Sequence, residues 1–167
     1  MSDDISYIRK WIKKGLSKDK KTLDFSGKGI SNEIAEELAE NVALPDIEIL
    51  FLHTNKLKDI GLEELTGSEF FEPLKELWLY ENKIGDDGAI ALANSTCLKN
   101  LKVLHLDANR IGLPGMQAFA KLSGLKSLET LNLTYNLVDP QGLELLDESK
   151  RLQDLTHVKT DLLKAND

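Results

Sequence analysis

An α/β solenoid of 27-residue units is the fold class this sequence predicts, and three observations predict it. The stretch Leu74 to Leu92, LKELWLYENKIGDDGAIAL, contains a complete unit: Leu74, Leu77, Leu79, Asn82 and Ile84 fall in an LxxLxLxxNxI pattern, and Gly88 and Leu92 follow on a helical return path. Steps of 27 residues from Asn82 reach Asn55, Asn109 and Asn136, and the same steps from Gly88 reach Gly61, Gly115 and Gly142. The strand leucines recur in phase as Leu50/Leu52, Leu77/Leu79, Leu104/Leu106 and Leu131/Leu133. Such a unit buries its open faces only against its neighbours, so the units must stack.

Six units of this size nearly exhaust the 167 residues, which predicts a single domain over 1–167. Within it, 1–19 reads as an N-terminal capping helix, 20–150 as five repeats and 151–167 as a degenerate C-terminal capping repeat. With 41% hydrophobic but only 6% aromatic residues, the core is expected to be Leu, Ile and Ala. The net charge of −7 speaks against nucleic acid, which is held by a basic surface that neutralises phosphates. The single Cys97 has no internal disulfide partner, MSDDISYIRK lacks an apolar secretory core, and no apolar run approaches ~18 residues. A cytoplasmic setting and a monomer are therefore expected, with no membrane span.

In chain order, Ile5, Ile8, Ile12 and Leu16 lie on one face of a helix over Ser2 to Leu16, with Arg9, Lys10, Lys13 and Lys14 opposite. A repeat array needs a polar-faced end unit, so this helix is read as a cap; the other reading is a Trp11-bearing basic helix that docks on an anionic membrane. Residues 9–21 hold seven basic groups against Asp19, a local +6 that leaves −13 on the remainder. The first repeat is degenerate: Leu23, Phe25 and Ile30 keep their places, but Lys28 and Lys20 stand where Asn and Leu are expected. Its helix, SNEIAEELAENV, takes Ser31 as N-cap and turns Ile34, Ala35 and Leu38 inward.

The second repeat places Ile47, Leu50, Leu52 and Leu57 in the core and starts its helix near Gly61; Phe70 and Phe71 are expected to fill the outer layer. The third and fourth are the most regular, and Pro114 and Pro140 precede helices in the fourth and fifth. Leu155, Val158 and Leu163 continue the grid into a last edge strand, where Lys159 and Asp161 would discourage end-to-end pairing. Cys97, in NSTCLKNL, reads as a small, partly buried residue.

Over roughly residues 20 to 163 the motif LxxLxLxxNxIxxxGxxxL resembles the ribonuclease-inhibitor-like subfamily of leucine-rich repeat proteins. The resemblance implies a right-handed curved solenoid, with one parallel strand per unit on the concave side and one helix on the convex side. It also implies recognition of a protein or peptide on the concave face or its rim, without catalysis. Because the subfamily includes the Ran GTPase-activating protein, regulation of a small GTPase is a second reading, and a membrane-surface adaptor held by the basic helix is a third. This chain departs from the subfamily in being much shorter, and from ribonuclease inhibitor in lacking its many cysteines.

The asparagines Asn55, Asn82, Asn109 and Asn136 are assigned to the fold, because their amides can satisfy backbone groups buried where the chain leaves each strand. Strand side chains alternate, so the fifth position, Asp24, Phe51, Trp78, His105, Asn132 and Lys159, faces the concave surface. So does the seventh, Ser26, His53, Tyr80, Asp107, Thr134 and Asp161. Phe51, His53, Trp78, Tyr80, His105, Asp107 and Asn132 are the expected partner-binding residues, with Glu76, Glu81 and Tyr135 as a rim. Pairing across strands to stabilise the sheet is the alternative role for these rings. His53 and His105 stand two units apart and in different columns, and neither a nucleophile, a phosphate loop nor metal-ligand spacing accompanies them. No catalytic residue, metal or cofactor is expected.

Overall fold

The computed structural model describes residues 2–40 and 44–160. Helix α1 (Ser2–Gly15) leads into six strand-bearing units: β1 (Thr22–Asp24), α2 (Asn32–Glu40), β2 (Ile49–Phe51), α3 (Asp59–Gly67), β3 (Glu76–Trp78), α4 (Asp86–Asn94), β4 (Val103–His105) and α5 (Leu113–Lys121) come first. They are followed by β5 (Thr130–Asn132), α6 (Pro140–Asp147), α7 (Lys150–Gln153) and β6 (His157–Lys159). The strands form one parallel sheet in the order β1-β2-β3-β4-β5-β6, and each pair is in register at a step of 27 residues. With a helix on every crossover, the sheet lines the concave side of a right-handed solenoid and the helices line its convex side.

Each of the strands β1 to β5 buries only its middle side chain, and the sixth-position residue just beyond it is buried as well, whereas Val158 at the middle of the edge strand β6 is half-buried. Leu50/Leu52, Leu77/Leu79, Leu104/Leu106 and Leu131/Leu133 thus form two continuous aliphatic rows between sheet and helices. Ile30, Leu57, Ile84 and Ile111 make a third row at the outward turn. At ~25 cal/mol per Å² of apolar surface removed from water, such rows are the main favourable term of the fold, and each exists only because a neighbour covers it.

The helices approach closely because glycine opens each contact. A Cβ built on Gly115 would lie 2.4 Å from Ile111 Cγ2 and 3.0 Å from Ala89 Cβ, so only a residue without a side chain lets α5 sit on α4. Two polar ladders on the same 27-residue grid join the units. Asn32, Asp59 and Asp86 accept from the backbone N–H of Lys58, Gly85 and Gly112, each at the start of the next helix. Ser68, Ser95 and Ser149 donate to carbonyls of Ala39, Thr66 and Ala120 at the helix ends of the unit before.

The ends follow the same logic. Ile8 is 2% exposed, and Trp11, Ile12 and Leu16 lie against the core, so these side chains of α1 and its end are spent on packing. At the other end Leu155 is buried and β6 pairs with β5, while Lys159 is exposed on the edge strand. The expected places of Asp161 and Leu163 lie outside the described residues, as do residues 41–43 and the side chain of Ile5. One packing expectation divides: Phe71 is 2% exposed, but Phe70 is 43% exposed. A 3-10 turn over Glu69–Phe71 sends these consecutive side chains in different directions, so only one reaches the outer layer. Cys97 is half-buried on the convex side, its thiol donating to the carbonyl of Gly67 at 3.2 Å.

Candidate functional site on the concave face

The geometry of the concave floor begins at the turn beneath it. Asn82 Oδ1 accepts from Leu57 N–H at 3.1 Å, and its Nδ2 donates to the carbonyls of Leu52 and Leu79 at 2.9 and 3.0 Å. Asn55, Asn109 and Asn136 do the same one unit earlier, one later and two later: the amide of Ile30, Ile84 or Ile111 bonds to Oδ1, and two strand-end carbonyls bond to Nδ2. A single side chain therefore ties two adjacent units and its own strand end. The residue just before each asparagine, Thr54, Glu81, Ala108 and Tyr135, has φ between 53° and 58°, as Gly27 has at 63° in the first repeat. This left-handed residue is what turns the chain out of the strand, and an L-residue adopts it at a cost of about 1 kcal/mol.

With the turns identical, same-column side chains on neighbouring strands stand ~4.8 Å apart, close to the thickness of an aromatic ring. The fifth column uses that spacing. Phe51 and Trp78 rings lie 5.6 Å apart with a 38° tilt, and Trp78 and His105 stack at 3.9 Å and 9°. In the seventh column His53 and Tyr80 stack at 4.1 Å and 9°. Edge contacts between Phe51 and His53 and between Trp78 and Tyr80 join the two columns. The five rings thus form one body across three strands.

All five are half-buried, not freely exposed, because each ring covers a face of the next. Polar groups complete the patch: Trp78 Nε1–H donates to Glu76 at 3.2 Å, and Thr54 Oγ1–H donates to Glu81 at 3.1 Å. Asn132 Nδ2 donates to Asp107 Oδ1 at 2.9 Å and lies 3.4 Å from His105 Nδ1, while His105 Nδ1 and Asp107 Oδ1 are 3.6 Å apart. Burial holds the His105 imidazole below its ordinary value, and the Asp107 charge acts against that shift without reversing it. Burial likewise pushes the Tyr80 hydroxyl up, helped by the charges of Glu81, Asp107 and Asp24. Tyr135, 75% exposed, extends the rim two units away.

The structure brings Phe51, His53, Trp78, Tyr80, His105, Asp107 and Asn132 into one surface. His53 and His105 sit in different stacks, and no group of three or more His, Cys, Asp or Glu able to hold a metal occurs among the described residues. Sequence reasoning missed the left-handed column and the Asn32/Asp59/Asp86 and Ser68/Ser95/Ser149 ladders. The ladders were open to the same 27-residue step; the backbone angle was not, since Thr, Glu, Ala and Tyr share no signature.

Fold and site together define a parallel α/β repeat solenoid with a polar and aromatic concave floor. The Leucine Rich repeat family model matches residues 73–93, 97–120 and 124–146, so the units of the middle of the chain are leucine-rich repeats. Domains of this kind generally mediate protein–protein interaction. No curated protein matches the sequence. A solved structure of an internalin from Listeria monocytogenes is similar at 26% identity and TM-score 0.45, over 68% of this chain and 28% of that one, so the present chain spans under a third of its length. The structure of leiomodin-1 actin-binding site 2 is similar at 16% identity and TM-score 0.53, over 95% of this chain and 77% of that one, a likeness of fold. No described helix is long and apolar enough to cross a membrane.

Proposed function

We propose that the chain is a non-enzymatic binding module that holds a protein or peptide on its concave face, with Trp78 and Tyr80 as anchors. One observation carries this reading: five rings are assembled in mutual contact over β2, β3 and β4, above a core that the leucine rows already fill. Rigid, preassembled aromatic rings surrounded by polar groups make a good anchor, because little side-chain entropy remains to be lost on binding. Outside the concave face, the ring contact among the described residues is the Tyr7–Trp11 pair on α1.

The test compares pull-downs by the wild-type chain and by a Trp78→Ala/Tyr80→Ala variant whose circular dichroism shows it folded. A partner retained by the wild type and lost by the variant supports the reading, with Trp78→Ala alone weakening the complex by about 2 kcal/mol or more. Identical partners on both proteins would remove the concave face from the account.

A further inference from the structure

Charge is distributed unevenly over the concave surface. The third, fifth, seventh and eighth positions of the first five repeats carry four carboxylates, Asp24, Glu76, Glu81 and Asp107, and no lysine or arginine; Lys28 stands by Asp24 at one end, and Lys159 lies on β6 at the other. Lysines and arginines occur instead on the rims. At the edge where the chain enters the strands, Lys21 and Lys75 both pair with Glu48, and Lys102 pairs with Glu129. At the edge where it leaves them, Lys56, Lys83 and Arg110 are exposed. Cations therefore frame an anionic floor.

The rings direct that floor's chemistry. Trp78 has one face on His105 and the other towards Phe51, and Tyr80 has one face on His53, so ring faces are largely spent inside the patch. What Tyr80 offers outward is its hydroxyl, which no hydrogen bond uses among the described residues. Asp107 spends Oδ1 on Asn132 and leaves Oδ2 unused, and Glu81 accepts from Thr54 while keeping further acceptor capacity. A planar donor fork fits between a phenol oxygen and a carboxylate, and an arginine or lysine stem can lie along the aromatic edges.

Resting on the concave-face reading above, we infer that the segment held there is a cationic peptide, anchored by an arginine or lysine whose charge sits beside the Tyr80 hydroxyl, Asp107 and Glu81. Encounter is then steered by the floor's field and weakens with salt. An acidic segment laid over Trp78 and Tyr80 meets Glu76, Glu81 and Asp107 there and is rejected.

The experiment selects displayed random dodecapeptides against the full chain and sorts the winners by whether they still bind the folded Trp78→Ala/Tyr80→Ala variant. Those that depend on the two rings are expected to be enriched in Arg and Lys, to lose affinity as salt rises from about 0.15 M to about 0.5 M, and to bind Glu81→Gln/Asp107→Asn about tenfold more weakly. Both substitutions are near-isosteric, and the Asn introduced at 107 can still accept from Asn132, so the floor keeps its shape. Ring-dependent peptides with no excess of cations, or equal affinity for the Gln/Asn variant, would overturn the cationic partner while leaving the concave face in place. A selection that yields no ring-dependent peptide would overturn both.

Discussion

Four successive units carry asparagine at the ninth position of the repeat and make the same bonds with it, whereas four residues earlier, at the fifth, the same units carry Phe51, Trp78, His105 and Asn132. The two columns stand on the same strands, a turn apart. The ninth, buried in three units and half-buried at Asn136, lies among backbone groups that have the same requirement in each of these units, so one side chain answers it in all four. The fifth faces outward, and the sheet asks of it only that it not collide with its neighbour ~4.8 Å away. Position by position, the repeat separates what holds the solenoid together from what the solenoid presents.

That separation is open to attack at several points. The largest effect is expected from Asn109→Ala, which leaves the N–H of Ile84 and the carbonyls of Leu79 and Leu106 without their partner in a buried turn. A loss of about 3 kcal/mol in urea unfolding is expected; a loss under about 0.5 kcal/mol would mean that the ladder is ornamental. Gly115→Ala comes next, at about 2 kcal/mol, because the added methyl meets Ile111 and Ala89 and α5 must lift from α4. If thermal unfolding shows no change, the helices are not packed as tightly as this geometry requires.

A smaller effect, of opposite sign, is expected where the backbone pays for turning. Ala108 sits at φ 54°, so Ala108→Gly relieves left-handed strain, partly offset by the greater freedom of the unfolded chain, and should raise stability by about 0.5 kcal/mol. A decrease would indicate that the residue is not left-handed in solution.

The smallest effect belongs to the presenting column. Burial holds folded His105 below the ordinary imidazole value. Below about pH 6.5 the unfolded chain then binds a proton that the folded chain refuses, so stability should fall as pH drops through that value and level off once the folded ring protonates. His105→Phe keeps a ring on Trp78 and removes the titration, so its stability should be flatter as pH falls below about 6.5. An unchanged slope would place the titrating group elsewhere.

The family resemblance and the repeat were legible down to individual residues because stacked units share one environment, and a shared environment leaves a period in the sequence. The register of Leu77 and Leu79, the asparagines and the membership of the aromatic patch all followed from counting by 27. Features that vary between units, or that reside in the backbone, did not. Phe70 and Phe71 look alike in sequence, yet a local 3-10 turn exposes one and buries the other. The left-handed residue is Thr, Glu, Ala or Tyr, because the asparagine beside it compensates for the strain and leaves its own identity free.

By itself, then, the sequence determined the unit length, the solenoid, the buried rows and which side chains share the concave face, all consequences of alternation and period. Only the tertiary structure decided that the rings stack on one another instead of lying open, that Trp78 stands between Phe51 and His105, and that Asn132 bonds to Asp107. Stacking and charge clustering depend on ring tilt and on the separation of strands distant in sequence, and those distances exist only once the units have closed on one another.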